Sequence, residues 1–192
     1  MQISSCRPIR KPNRLANYDY SLAGAYFVTL CSQGKRCIFG LVVENDVVLS
    51  PAGEIVRAIW MALPERFPRL VLDEFVIMPN HLHGVLGLVG AGLAPPLVAP
   101  PGPQLGEPRF ATTQSSFREQ KYSLSSVIGA FKSITTIQVN KLLSRKGEQL
   151  WQRSYHDHII RKGEDLRKIQ RYINENPLIW SLDPENPNRK HR

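Results

Sequence analysis

Two histidines separated by one leucine, His81-Leu82-His83, stand inside the apolar run Glu74-Phe75-Val76-Ile77-Met78-Pro79-Asn80-His81-Leu82-His83-Gly84-Val85-Leu86. On a strand, residues i and i+2 point to the same face. Both imidazoles then project together, while Leu82 enters the opposite face. One rigid face offers two nitrogen donors to one cation, a task suited to neutral imidazole. The same spacing also describes a pair of surface histidines on a polar strand face. Their place inside an apolar run, entered through Pro79-Asn80, favours the metal site.

A second pair lies far along the chain. Tyr172 and Asn176 are at i and i+4 and share one face of a helix. A phenol is a poor nucleophile at neutral pH, with a reference pKa of about 10. Against a phosphodiester it needs a nearby cation, which stabilises the phenolate and draws charge from the phosphate. The His-Leu-His face can hold that cation, with Asn176 as a third ligand. From spacing alone the more common reading is a half-buried core aromatic followed by a helix C-cap.

The chain around these residues has 192 residues, 42% of them apolar, and a net charge of +9. That length predicts one domain, or one domain with an insert. A chain this basic is expected to meet a polyanion, nucleic acid or an anionic membrane surface. No apolar run of about eighteen residues predicts a transmembrane helix, and the basic N-terminus has no apolar stretch behind it to make a secretory signal. Cys6, Cys31 and Cys37 are odd in number and lack CxxC spacing. They imply neither a disulfide scaffold nor a zinc cluster, which fits a reducing cytoplasm.

The elements that must position the candidates follow in order. Residues 1–20 carry Arg7, Arg10, Lys11 and Arg14, and read either as a frayed tail or as an arm on a phosphate backbone. Residues 24–31 are rich in β-branched and aromatic side chains and predict a first strand. Residues 37–43 and 47–49 predict a hairpin about Glu44-Asn45-Asp46. Ser50-Pro51 predicts a helix start, with Ile55, Ile59 and Leu63 as its apolar stripe, broadened by Val56 and Trp60. The run over 70–78 predicts a central strand covered on both faces. Residues 89–117 hold Pro95, Pro96, Pro100, Pro101, Pro103 and Pro108 and predict an exposed, poorly ordered insert. A long helix follows from Tyr122, basic late on (Lys132, Lys141, Arg145, Lys146) and ended by Gly147. Residues 155–160 alternate partly, as a strand does. The last helix opens near Gly163-Glu164-Asp165, acidic where the helix dipole is positive, and stops at Asn176-Pro177.

Three blocks in this order carry a resemblance. They are Phe75-Val76-Ile77-Met78-Pro79-Asn80-His81-Leu82-His83, then Trp151-Gln152-Arg153-Ser154-Tyr155-His156-Asp157-His158-Ile159-Ile160-Arg161, then Tyr172-Ile173-Asn174-Glu175-Asn176-Pro177. Together they resemble the REP-associated tyrosine transposases, members of the single-tyrosine HUH transposases (His, hydrophobic, His). Asn17-Tyr18-Asp19-Tyr20 and the first strand resemble that group too. The likeness leaves only the proline-rich insert and the last dozen residues without a counterpart.

The resemblance implies an α+β, ferredoxin-like sandwich over residues 1–192, with an antiparallel sheet, helices packed on one face and the histidines on a central strand. It implies a divalent cation, Mg2+ or Mn2+, on His81, His83 and Asn176. It implies Tyr172 as the nucleophile toward single-stranded DNA, folded as hairpins of palindromic repeats, with a 5′-phosphotyrosine link and a free 3′-hydroxyl as products. Tyr155 is the reserve nucleophile, and Asp157 and His158 support the site or contact DNA. Arg10, Lys11, Arg14, Lys132, Arg153 and Arg161 are the candidate phosphate contacts, and aromatics such as Tyr18 and Tyr20 are candidates to stack unpaired bases. A cytoplasmic, nucleoid-associated monomer or homodimer is expected. The alternative is a catalytically silent protein that binds DNA hairpins. A replication initiator or relaxase fits less well, because nothing resembles a nucleotide-binding glycine-rich loop.

Overall fold

The computed structural model describes residues 18–89 and 122–189. Most of the N-terminal arm, with Arg10, Lys11 and Arg14, and nearly all of the proline-rich insert lie outside the described residues.

The first strand, β1, spans Gly24–Cys31, and a turn of 3-10 helix follows at Gln33–Lys35. β2 (Gly40–Val43) and β3 (Asp46–Leu49) pair as the predicted hairpin. Its turn places Glu44 at φ 50° and Asn45 at φ 70°, the paired left-handed conformation that matches strand twist in two-residue hairpins. α1 (Pro51–Met61) starts where Ser50 caps it, the Ser50 hydroxyl accepting from the Gly53 amide at 3.1 Å. A short α2 (Leu63–Arg66) leads to β4 (Leu70–Ile77) and β5 (His81–Leu88). After the insert come α3 (Leu124–Leu142), β6 (His156–Ile160), α4 (Gly163–Glu175) and a 3-10 helix at Pro177–Leu182.

The main sheet runs β4-β5-β1-β6, antiparallel throughout. With α1 and α3 as the crossovers, this is the ferredoxin-like β-α-β-β-α-β order. The expected helical layer holds for α1 and α3, which meet through Trp60 and Phe131 at 5.2 Å between ring centroids. Tyr26, Val28, Leu30, Leu82 and Leu86 face that layer and are fully or nearly buried. α4 covers the opposite face, where His83 and Tyr172 meet. Gly84 is required on the layer side: a Cβ there would stand 2.5 Å from Cζ2 of Trp60.

Three local expectations are corrected. β4 is an edge strand, not a central one. Its apolar run is broken by exposed Asp73-Glu74, where the register shifts between Leu72 and Phe75. The bulge re-phases the strand: Leu70 and Leu72 before it, and Phe75 and Ile77 after it, are opposite Leu88, Leu86, Gly84 and Leu82 on the helix-covered side. In α1 the fully buried row is Ala52, Gly53, Val56 and Trp60, with Ile55 and Ile59 half-buried at its margin. α3 ends at Leu142, before Gly147, because Ser144 turns to φ 51° and breaks the helix first. Among the described residues no helix is long and apolar enough to cross a membrane.

Candidate active site

β5 is an inner strand, so both histidines are flanked on either side by paired backbone. Their rings lie 4.5 Å apart and are fully or nearly buried. Each is held at its Nδ1. Asn80 donates through its amide nitrogen to the carbonyls of Lys35 (3.1 Å) and Glu185 (2.7 Å), which fixes its orientation. Its Oδ1 therefore accepts from His81 Nδ1 at 2.8 Å. That leaves the His81 Nε2 lone pair facing the site with no partner, the arrangement by which an outer hydrogen bond orients a metal-binding imidazole. On β1, Thr29 Oγ1 holds His83 Nδ1 at 2.8 Å, and Phe27 stacks on the His83 ring at 5.4 Å.

Burial, and then the Lys35 charge, pull His81 down to about 3; burial, and then His81 itself, do the same to His83. Both rings are neutral at neutral pH, as metal ligands must be.

α4 delivers Tyr172 to this face. The Tyr172 hydroxyl lies 3.3 Å from His83 Nε2. Its ring meets His83 at 5.2 Å and Phe27 at 6.2 Å. Burial first, and the nearby Asp183 next, raise its pKa, so without a cation it is a phenol and not a phenolate. Asn176 is fully buried at the end of α4. It is close enough to His81 and Tyr172 to counter part of each shift, yet neither of its amide atoms has a partner of hydrogen-bonding geometry.

Sequence reasoning missed one member. Asp183 follows the 3-10 helix and is 2% exposed. Its Oδ1 accepts from the Glu185 amide at 2.6 Å, while Oδ2 has no partner. His81, His83 and Asp183 bring one ligand atom each to within 4.8 Å of one another. The Asp183-Pro184 step is a turn signal in the sequence, but its direction depends on a distant contact. Lys35 binds Glu185 at 3.2 Å and the Pro184 carbonyl at 3.1 Å, holding the turn over the histidines. Unpartnered buried acceptors on His81, Asp183 and Asn176, at the cluster that His83 completes, fit a divalent cation. The mix of imidazole nitrogen and oxygen donors suits magnesium or manganese among others.

The remaining candidates sit elsewhere. Tyr155 is buried in the core on the helix-layer side, beneath the Lys132 ammonium. Lys132 gives that ammonium to the carbonyls of Gln152 (2.6 Å) and Arg153 (3.2 Å). Arg153 and Arg161 are exposed at the two ends of β6. Asp157 is opposite Val28 and faces the helix layer; His158 is opposite Phe27 and faces the site.

No family model matches the chain. It is 34% identical over 179 residues to an uncharacterised Haemophilus influenzae protein, covering 91% of each. Its fold superposes on that of a REP-associated tyrosine transposase bound to a REP hairpin, with a TM-score of 0.55 and 18% identity over 91% of this chain and 80% of the other. The chain thus belongs to one family with the Haemophilus influenzae protein and carries the ferredoxin-like fold of the REP-associated tyrosine transposase.

Proposed function

We propose that this protein is a metal-dependent DNA strand transferase that cleaves and rejoins single-stranded DNA hairpins through Tyr172. The observation that carries the reading is the Tyr172 hydroxyl, 3.3 Å from His83 Nε2, beside a buried His81, His83 and Asp183 cluster. The order of the three sequence blocks and the shared fold support it.

His81 Nε2, His83, Asp183 Oδ2 and Asn176 would hold the cation. Once bound, a divalent ion there polarises a phosphate oxygen and eases formation of the phenolate. The protein's own residues do the rest. Before a cation binds, the His83 Nε2 lone pair accepts from the Tyr172 hydroxyl and keeps that oxygen beside the cluster. With the cation present that lone pair would pass to the metal, while Phe27 packs against both rings and keeps Tyr172 alongside. The Tyr172 oxygen attacks phosphorus, an O–P bond forms, and the bond to the 3′ oxygen breaks. The phenol proton lost balances the one gained by the leaving 3′-hydroxyl. The product is a 5′-phosphotyrosine, and the reverse step rejoins strands. Because one chain supplies both halves, a monomer carries a whole site.

The test uses a single-stranded hairpin labelled at its 3′ end, incubated with Mn2+ or Mg2+ and run on a denaturing gel. A covalent adduct is expected from the natural protein and from Tyr155→Phe. Tyr172→Phe is expected to bind the hairpin but form no adduct. An adduct that survives Tyr172→Phe removes the proposal. Binding without any nicking by the natural protein assigns the silent hairpin-binding role instead.

A further inference from the structure

Among the described residues, α4 covers the site face of the sheet mainly on its β4 side. α4 leans toward β4, where Gln170 Nε2 donates to both carboxylate oxygens of Asp73 at 2.9 and 3.1 Å. On the other side lies the edge strand β6. Its register places His156 opposite Thr29 and His158 opposite Phe27. Directly opposite residues share a face, so His156 and His158 project on the same side as His83 and Tyr172. Both are exposed. Among the described residues neither imidazole makes a hydrogen bond, ion pair or ring contact.

Phe27 joins this strip to the chemistry. Its half-buried ring stacks on His83, meets Tyr172 edge-on, and has His158 for its cross-strand neighbour. Strands are about 4.8 Å apart, so the histidine edge stands roughly 10 Å from the His83 strand. Arg153 and Arg161, both exposed, flank β6 in the chain before and after it. Flat aromatic rings between two cations make the pattern that holds a nucleic-acid single strand, with bases on rings and phosphates on guanidinium groups.

A second metal site is a poorer fit. Asp157, the acid between the two histidines, faces the helix layer beside Val28, so the pair has no third donor from its own strand. We propose that Phe27, His156 and His158 form a stacking site for unpaired nucleobases beside Tyr172, with Arg161 on the adjoining phosphate. This rests on the strand-transferase reading only in taking a single strand as the ligand.

The test compares a fluorescein-labelled oligothymidylate with an abasic oligomer of the same length and charge, both in EDTA over a salt series. Tyr172→Phe protein is used, so that binding alone is read. The oligothymidylate is expected to bind at least about tenfold more tightly than the abasic strand, since stacking discriminates by bases and not by phosphates. His156→Ala/His158→Ala, at exposed positions, is expected to erase most of that preference at an unchanged salt slope. Arg161→Ala is expected to lower the salt slope and leave the preference. An unchanged preference in the double variant overturns the proposal, as does a preference that appears only with added divalent metal. Equal binding of both oligomers overturns the stacking site alone. Binding of neither overturns the strand-transferase reading as well.

Discussion

Replacing Asp183 by asparagine separates what its carboxylate costs the fold from what it does for the metal. The side chain is 2% exposed, and its Oδ2 has no partner. The two rings beside it are pulled down to about 3, so they are neutral and do not offset its charge. The Lys35 ammonium is engaged by Glu185 and the Pro184 carbonyl. A buried carboxylate with one oxygen unpartnered and no cation beside it is a destabilising group. An asparagine side chain would keep the volume, and its amide oxygen would still accept from the Glu185 backbone N–H. Without metal, Asp183→Asn is therefore expected to be more stable by about 1–3 kcal/mol. In a domain of this size about 1 kcal/mol moves the midpoint by about 2–4 °C, so the rise is easily read. With Mn2+ at about a hundred times its dissociation constant, the natural protein gains about 2.7 kcal/mol. The variant, lacking the anionic donor, gains a small fraction of that. The variant's advantage in EDTA therefore shrinks by most of about 2.7 kcal/mol in Mn2+, and the order of stability inverts where that advantage is about 2 kcal/mol or less. The assay is thermal unfolding followed by near-UV circular dichroism in both conditions. A variant less stable in EDTA, or one that gains as much from Mn2+ as the natural protein, refutes the reasoning.

Other perturbations test the frame around the site. In EDTA the depressed His81 and His83 values make the unfolded chain the better proton acceptor. Stability is then full above about pH 6.5 and drains as pH falls toward 3, at up to about 1.4 kcal/mol per histidine per pH unit. Urea midpoints at pH 7.5, 6 and 5 measure it, and a His81→Gln/His83→Gln variant should lose most of the slope. Gly84→Ala drives a Cβ to 2.5 Å from fully buried Trp60, which is wedged near Phe75 and Phe131. A loss of about 1–3 kcal/mol is expected from such overpacking; an unchanged urea midpoint would show that Trp60 yields freely.

What is legible in the sequence is local. The Glu44-Asn45 turn, the Ser50 cap and the alternation of His81-Leu82-His83 each follow from a few neighbouring residues, and the strand and helix around them take the expected form. The spacing of Tyr172 and Asn176 likewise puts both on one helix face. Their meeting with the histidines is not local. It depends on which face α4 covers, and helical periodicity says nothing of that. The resemblance supplies it. Asp183 escapes for the same reason: its direction is set by Lys35 and Asn80, roughly half the chain or more away in sequence.

β4 shows how an exception to a pattern carries information. Read as an apolar run, it suggests a central strand, with the acidic pair Asp73-Glu74 as a mere interruption. That interruption is the bulge that puts Leu70 and Leu72 on the same side as Phe75 and Ile77. It also leaves Val76 opposite His83 on the site face. The carboxylate it exposes on Asp73 takes both hydrogen bonds from Gln170, two residues before Tyr172. An exposed contact of this kind adds little stability, but it ties the edge of the sheet to the helix that bears Tyr172, the proposed nucleophile. The residues that spoil the strand pattern are therefore part of what aims Tyr172 at His83, and a charged pair inside an edge strand is a signal worth reading for the helix it anchors.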